Sequence, residues 1–476
     1  MGISRVFRYL SVLIILFLVI EYIDYFIFML SYPHNIFLNE GFATRISLHF
    51  YTHGLAFGDL NTYPYFVTIY GFLYELVSMP LFYLMGPTVN IGRVTSFAGT
   101  LLIITGLIII LRKKNAGWFY IVFFSLIILF FKPMTLYTCL SKNDSFAALM
   151  TLVVLYSLYL HKGSKQFIIT LLFSSFALMT KQTTVFIIPV VLGAWFINRE
   201  NNPSFFKKSV LWVVSMILLF GVLFALIPNY YFNTITLSGL IGTITTSYRH
   251  LLINQVIPLL RGTMFFIIAA CLILFKIRKT SRIKDILTPS FLYIIFYLPV
   301  FLFTSHSTGS MPVYYIFTFI GLSVFIPELI LKYRNSFSVT VIDTLLLAQL
   351  LIFLLIPSKI DTLKFTYNKP TKNQIEEAKE IDSIVKENGI ERSFVTFSRS
   401  SFGLSPQSAP NDFDFIHGYL LDKNKLNIEP YIQDFNNKEF SVIVGGLEYP
   451  RLKEAIEKNY YLYKIIGNTP IYLPRN

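Results

Sequence analysis

Eleven apolar segments, each close to the ~20 residues that an α-helix needs to cross a bilayer, run through the first three quarters of the chain. The mean hydropathy is +0.60, and 54% of the 476 residues are hydrophobic while only 14% are charged, which excludes an ordinary soluble enzyme. We therefore predict an all-α polytopic membrane protein. The predicted spans are 9–31, 91–111, 116–131, 144–160, 166–180, 183–198, 209–228, 262–277, 286–304, 312–331 and 337–357.

Basic residues are distributed unequally between the two sets of loops that join these spans. One set carries 17 Lys and Arg residues and the other carries 7. The positive-inside rule therefore predicts a cytoplasmic amino terminus, and eleven crossings place the C-terminal region outside. The basic residues sit in short clusters between apolar segments, so the net charge of +14 indicates membrane orientation rather than nucleic-acid binding.

One apolar stretch, residues 65–84, is not counted as a span. Glu75 and Pro80 interrupt it and Pro64 precedes it, a pattern that favours a helix lying in the outer interface. Counting it as a span would invert every later loop and move the basic cluster at 112–114 to the outside. We therefore predict a long first external loop, residues 32–90, that contains interfacial helices.

The last part of the chain, residues 358–476, differs in character from the transmembrane part, residues 1–357. It contains 16 basic and 16 acidic residues, whereas the transmembrane part contains 24 and 10. A polar amphipathic helix begins near Glu376, and the segments 394–397 and 440–444 have the pattern of strands. With a further helix at 451–458, the sequence predicts a small extracytoplasmic α/β domain.

Two acidic residues, Glu40 and Asp144, lie at the mouths of hydrophobic segments on the predicted outer side. A carboxylate at a membrane mouth is costly unless it is solvated, paired or functional. Glu40 could be a solvated loop acid, and Asp144 could cap the fourth span. The two acids otherwise indicate an outward-facing polar site.

Six short motifs follow one another along residues 1–330: an early acid, an interfacial helix with Tyr and Leu, a Gly-Arg-x-x-Ser span start, a second acid, Thr-Lys and Pro-x-Tyr. They are Asn39-Glu40, residues 70–76, Gly92-Arg93-Val94-Thr95-Ser96, Asp144, Thr180-Lys181 and Pro312-Val313-Tyr314. In order and spacing the set resembles the GT-C superfamily of membrane glycosyltransferases. The branch that it resembles contains the lipid A aminoarabinose transferase and the protein O-mannosyltransferases.

This resemblance implies a GT-C fold and a polyprenyl-phosphate-linked sugar donor. It also implies an inverting transfer to an extracytoplasmic acceptor, which is a lipid, a glycan or a protein. The family has Asp-Glu where this chain has Asn39-Glu40. Since Asn cannot act as a general base, Glu40 is the predicted base, and Asp144 supports the acceptor or a metal.

Transfer from such a donor leaves negative charge on the departing lipid phosphate, which fixed cations stabilise. Lys181, Arg249 and Lys142 are the external cations that we predict to bind it; contact with lipid headgroups is the alternative. His49 and His53 are four residues apart and could hold a divalent metal such as Mg or Mn, although an interfacial helix explains them equally well. Other polar residues that could contact the acceptor or line the cavity are Asn39, Tyr70, His250 and His306.

Two other classes of function remain open at the level of sequence. A flippase or transporter of lipid-linked saccharides would be expected to show internal repeats and polar residues at mid-membrane depth, neither of which the pattern shows. A non-catalytic membrane assembly protein would act through residues 358–476. The sequence specifies neither the sugar nor the acceptor.

Overall fold

The computed structural model describes most of the chain, and the bounds below refer to those residues. They are residues 2–35, 40–55, 57–60, 67–131, 138–201, 204–242, 248–277, 283–305, 314–333, 338–355, 370–389, 392–396, 402, 404, 417, 420–421, 426–446 and 449–476. Asn39 and His306, both named above as candidates, lie outside them.

Helices dominate the described residues. In chain order they are α1 (Gly2–Ser31), α2 (Glu40–His53), α3 (Leu73–Ser78), α4 (Phe82–Met85), α5 (Asn90–Lys113), α6 (Trp118–Leu126), α7 (Asp144–Leu160), α8 (Gly163–Thr180), α9 (Ile187–Ile197), α10 (Phe205–Leu226), α11 (Ser238–Gly242), α12 (Tyr248–Leu251), α13 (Ile257–Ile277), α14 (Pro289–Ser305), α15 (Tyr315–Tyr333), α16 (Val339–Leu355), α17 (Lys372–Asn388), α18 (Glu429–Asn436) and α19 (Pro450–Asn459).

The eleven predicted spans coincide with α1, α5 to α10 and α13 to α16. Five of these helices are long and apolar enough to cross a membrane by length and composition: α1, α5, α10, α13 and α15. The others are shorter, and 3₁₀ turns at Ile127–Leu129 and Gln182–Phe186 extend α6 and α9. Helices suit a bilayer because each satisfies its backbone hydrogen bonds internally.

Partly buried ion pairs link the helix ends that the sequence predicts to be cytoplasmic. Arg8 of α1 donates to Asp343 of α16 at 2.8 Å, and the Tyr120 hydroxyl donates to the same carboxylate at 3.1 Å. Lys114 donates to Glu328 of α15 at 2.6 Å. These contacts explain the acids within the apolar segments 312–331 and 337–357, because each acid is paired where its helix meets its neighbours.

The apolar stretch 65–84 is not a straight span. From residue 67 onward, where the structure describes it, the helical part runs from Leu73 to Met85, as α3, a 3₁₀ turn at Met79–Leu81 and α4. These 13 residues fall short of the ~20 that a crossing needs. One face packs on α2 and α5, while Tyr83 and Leu84 on the other face are 78% and 81% exposed. Such a helix fits the predicted position at the membrane interface.

The C-terminal part contains a four-stranded sheet with the order β1-β2-β4-β3. The strands are β1 (Ser393–Val395), β2 (Val442–Val444), β3 (Tyr460–Ile466) and β4 (Thr469–Pro474). Strands β1 and β2 are parallel, and the other neighbours are antiparallel. The predicted helices at 376 and 451–458 are α17, which begins with a capping box of Thr371 and Gln374, and α19.

The C-terminal part also contacts the loop 32–90, which the sequence predicts to be external. The Tyr431 hydroxyl donates to the Leu60 carbonyl oxygen at 3.0 Å, and Arg45 Nη2 donates to the Phe402 carbonyl oxygen. Leu60 and Val67 share an apolar cluster with residues of the sheet and of α18 and α19. The α/β part therefore packs on the loop that carries Glu40.

Candidate active site

The Glu40 carboxylate forms a buried ion pair with Arg93. Glu40 begins α2, Arg93 lies in the first turn of α5, and neither side chain is exposed. Arg93 Nε and Nη2 donate to Oε1 and Oε2 of Glu40, each at 2.9 Å. This two-point contact is the strong geometry for a guanidinium and a carboxylate. The backbone N–H of Ser141 donates to Oε1 as well, at 3.2 Å.

Further hydrogen bonds from Arg93 tie the start of the loop 32–90 to the bundle. Arg93 donates to the carbonyl oxygens of Met29 at 2.6 Å and of His34 at 2.7 Å, and to that of Tyr32. It also donates to Oδ1 of Asn90 at 3.1 Å. The Arg93 guanidinium thus holds both carboxylate oxygens of Glu40 and the backbone of the residues before α2. The pair has the geometry of a structural anchor.

Segment 141–144 fixes the second acid relative to the first. Ser141 packs on α5 so closely that a Cβ at Gly92 would lie 1.7 Å from its Oγ. Asn143 Nδ2 donates to the Thr180 carbonyl oxygen at 3.1 Å. The start of α7 is therefore held between α5 and the end of α8.

Asp144, the first residue of α7, is 2% exposed and accepts a hydrogen bond at Oδ1 from Lys181 Nζ. Its side chain does not cap the helix as an N-cap residue would, since Asn143 occupies the cap position and makes no side-chain capping bond. Among the described residues nothing donates a hydrogen bond to Oδ2 of Asp144. One oxygen is thus held by Lys181, while the other accepts no hydrogen bond from the described residues.

Lys181 lies between two aromatic rings. Its Nζ is 4.5 Å from the ring centroid of Tyr314 and 5.2 Å from that of Tyr70. Burial by itself would lower the pKa of this ammonium, but the Asp144 carboxylate and the two tyrosines outweigh it and raise the pKa. Lys181 therefore stays protonated, and its ammonium contacts the Asp144 carboxylate and the rings of Tyr70 and Tyr314.

Lys142 is a half-buried cation of a different kind. Burial lowers the pKa of its ammonium to about 8, although the Asp144 carboxylate opposes this effect. Its backbone is fixed on α5, because Ser96 Oγ donates to the Lys142 carbonyl oxygen at 2.7 Å. A partly desolvated ammonium that remains mostly charged at neutral pH is suited to binding an anion.

Glu75 on α3 is a buried acid that interrupts an apolar stretch of the sequence. It is 3% exposed, and its Oε2 has no hydrogen-bond partner within the described part of the chain. Burial raises the pKa of this carboxyl to about 8. The only sequence signal for it is a single acid within the apolar run 65–84.

For three other predicted residues, His49, His53 and Arg249, no described contact reaches this cluster. His49 and His53 stack on each other along α2, with ring centroids 4.7 Å apart. Burial lowers the pKa of His49 to about 4, and the nearby His53 contributes a smaller part of this shift. Within the described residues no three His, Cys, Asp or Glu side chains group as metal ligands. Arg249 is exposed on α12, the helix that also contains His250, and no described contact joins it to Lys142 or Lys181.

Comparison with known proteins gives a fold but no sequence relative. No protein-family model matches the chain, and no curated protein matches it by sequence. The fold is similar to that of two crystal structures of ArnT from Cupriavidus metallidurans, one in the apo state and one bound to undecaprenyl phosphate. The identities are 12% and 13%, the TM-scores are 0.55 and 0.58, and both alignments cover 96% of this chain and 97% of ArnT. The chain has the ArnT fold.

This match confirms the predicted fold class, an all-α polytopic membrane protein with a GT-C-like fold and a small C-terminal sheet. Because it spans nearly the whole length of both chains, it includes the C-terminal sheet as well as the helical bundle. At identities this low, the match shows the ArnT fold alone.

Proposed function

We propose that this protein is an integral-membrane glycosyltransferase that uses a polyprenyl-phosphate-linked sugar and an extracytoplasmic acceptor. The observation that carries the proposal is the cluster at one end of the bundle, where Asp144, Lys181 and Lys142 meet beneath the interfacial helix α3. The neighbour bound to undecaprenyl phosphate supports the class of donor.

The two lysines have complementary roles in this proposal. Lys142 and Lys181 bind the phosphate of the donor and stabilise the charge that develops when the lipid phosphate departs. Lys181 also orients the Asp144 carboxylate through its hydrogen bond to Oδ1. The ring of Tyr70 covers Lys181 from the side of the interfacial helix.

Asp144 is the proposed general base. Its Oδ2 accepts the proton of the acceptor hydroxyl while the acceptor oxygen forms a bond to C1 of the sugar. The bond between C1 and the phosphate oxygen breaks on the opposite face, so the configuration at C1 inverts and the polyprenyl phosphate leaves with the electron pair. The sequence favours Glu40 as the base, whereas the contacts of Glu40 with Arg93 favour Asp144.

The orientation of the site follows from the distribution of basic loops. The proposed amino terminus is cytoplasmic, and the cluster and the α/β domain at 358–476 are extracytoplasmic. A nucleotide sugar is not available on that side of the membrane. A donor attached to a lipid of the same bilayer is therefore the compatible substrate.

The test is a reaction in proteoliposomes that contain the purified protein, an undecaprenyl-phosphate sugar labelled in the sugar, and lipid extract as a source of acceptor. We expect release of undecaprenyl phosphate and movement of the label to another molecule, and loss of both in D144N. Translocation of the intact donor across the bilayer without its consumption would instead establish a flippase.

A further inference from the structure

A cavity lies between the α/β part and the chain that follows α1. Its volume is about 470 Å³, which falls within the range of roughly 300–1,000 Å³ that is typical of pockets for small organic ligands. The residues after α1, helix α17, Phe402 and the turn between β3 and β4 line it. Asp144, Lys142 and Lys181 do not line it, so this cavity is distinct from the cluster described above.

One side of the cavity is apolar. Tyr32, Phe402 and Ile381 line it, belong to one apolar cluster and are buried. The carbonyl oxygen of Tyr32 accepts a hydrogen bond from Arg93. That of Phe402 accepts one from Arg45. A wall that is fixed in this way loses little conformational freedom when a ligand binds.

The other side of the cavity is polar, and Glu377 of α17 is its charged residue. The Glu377 carboxylate lies against the β3–β4 turn, since a Cβ at Gly467 would lie 2.6 Å from its Oε2. Within the described part of the chain Glu377 forms no ion pair and no hydrogen bond, whereas Glu376 and Glu380 of the same helix pair with lysines. Its carboxylate can therefore accept hydrogen bonds from a ligand.

Three further polar side chains of the cavity add donors as well as acceptors. They are Gln374, Asn468 and Thr469. The Oε1 atom of Gln374 already accepts from the backbone N–H of Thr371 at 2.8 Å, so its amide N–H groups remain for a ligand. The Asn468 amide and the Thr469 hydroxyl can each donate and accept. No Lys or Arg is among the described residues that line the cavity.

A neutral sugar matches this combination of groups. Its hydroxyls can donate to a carboxylate and accept from an amide, and its C–H-rich faces pack on aromatic residues, whose ring faces carry partial negative charge. A hydrocarbon chain would leave the polar side chains without partners, which is costly. A phosphate would meet the Glu377 carboxylate with no lining cation to offset the repulsion.

We propose that this cavity binds a neutral oligosaccharide that forms part of the acceptor. The inference rests on the proposed function, because it takes the α/β part as extracytoplasmic, on the side of the acceptor. Glu377 accepts hydrogen bonds from the sugar hydroxyls, and Gln374 donates to them. Since Asp144 does not line the cavity, the sugar unit bound here is not the one that reacts, and the cavity selects the acceptor.

The experiment measures binding of the full-length protein, in fluorescently labelled nanodiscs, to an array that displays neutral oligosaccharides, phosphorylated oligosaccharides and short peptides. We expect the wild-type protein to bind one or more neutral oligosaccharides in preference to their phosphorylated forms. E377A should weaken that binding about tenfold, the loss that corresponds to one hydrogen bond to a charged group. E376A is the matched control, since Glu376 is the preceding residue of α17 and does not line the cavity.

Both variants should bind undecaprenyl phosphate with unchanged affinity, which shows that they are folded. A wild-type protein that binds no oligosaccharide, or equal binding by E377A and E376A, would overturn the glycan site. Binding of peptides alone, lost in E377A, would replace the glycan with a protein acceptor and overturn it as well. Failure of the wild-type protein to bind undecaprenyl phosphate would instead overturn the proposed transferase.

Discussion

Two acid–base pairs of the described residues are almost fully buried, Glu40 with Arg93 and Asp144 with Lys181, and they look alike in sequence but differ in structure. In the first pair a planar guanidinium contacts both carboxylate oxygens and also donates to three backbone carbonyls. In the second pair a single ammonium contacts one oxygen and lies between two aromatic rings. The first arrangement fixes the chain, whereas the second leaves a carboxylate oxygen for chemistry.

The difference follows from the chemistry of arginine and lysine. A guanidinium presents several donors in a fixed plane and can join many acceptors at once. An ammonium is a compact charge on a flexible stem, and it can bind a phosphate while it holds a carboxylate. Burial alone therefore does not identify the reacting acid. What distinguishes the two acids is whether the partner is an arginine or a lysine and how many carboxylate oxygens it contacts.

The largest effect should come from replacing the second acid. We expect D144N to lower the rate of sugar transfer by about 10²–10⁴-fold, the range that general bases contribute. Binding of undecaprenyl phosphate should persist, since Lys142 and Lys181 remain. Transfer assays and binding measurements on the same preparation check both statements. Wild-type transfer by D144N would show that Asp144 is not the general base.

Replacing the first acid should act on stability instead. E40Q leaves the buried Arg93 charge without its counter-ion, which costs about 3–5 kcal/mol for a buried pair. We expect a lower midpoint of thermal unfolding in detergent, with transfer per folded molecule close to wild type. E200Q is a suitable control because its ion pair with Lys284 is exposed and should change little. An E40Q protein of wild-type stability would contradict the anchor.

Substitutions of Lys142 test whether this residue binds the donor phosphate. K142M should weaken binding of undecaprenyl phosphate by about 10–100-fold, since a hydrogen bond to a charged group is worth about 1.5–3 kcal/mol. In the wild-type protein the contribution of Lys142 is present below pH 8 and lost as pH rises through its depressed pKa. K142R should bind at neutral pH and lack this part of the pH dependence. Unchanged affinity in K142M would exclude Lys142 from the site.

Gly71 tests the packing that joins α3 to Lys181. The Cβ of G71A would collide with the backbone of Met179, and we expect a stability loss of about 1–3 kcal/mol, as for other overpacked sites. G221A is the matched control, since a Cβ at Gly221 of α10 meets no atom within 4 Å. Thermal unfolding of both variants measures the difference. Equal midpoints would show that the interfacial helix is held elsewhere.

The sequence predicts the bundle well because hydropathy marks each span and basic clusters mark alternate loops. It also groups Asp144, Lys142 and Lys181, since the predicted crossings bring their loops to one side. The pairing of Glu40 with Arg93 is not encoded in any local pattern, because 53 residues separate them. The burial of Glu75 cannot be predicted locally either, because residues distant in sequence surround it. Strands β3 and β4 are not predicted, since they follow a helix without a separate hydropathy signal.

The most direct test compares single-turnover transfer by folded, monodisperse E40Q and D144N with that of the wild-type protein, using an undecaprenyl-phosphate sugar as donor. If Asp144 reacts and Glu40 anchors, E40Q transfers within about tenfold of wild type per folded molecule, while D144N falls by about 10²-fold or more. A folded but inactive E40Q beside an active D144N would contradict this account and return the role of base to Glu40.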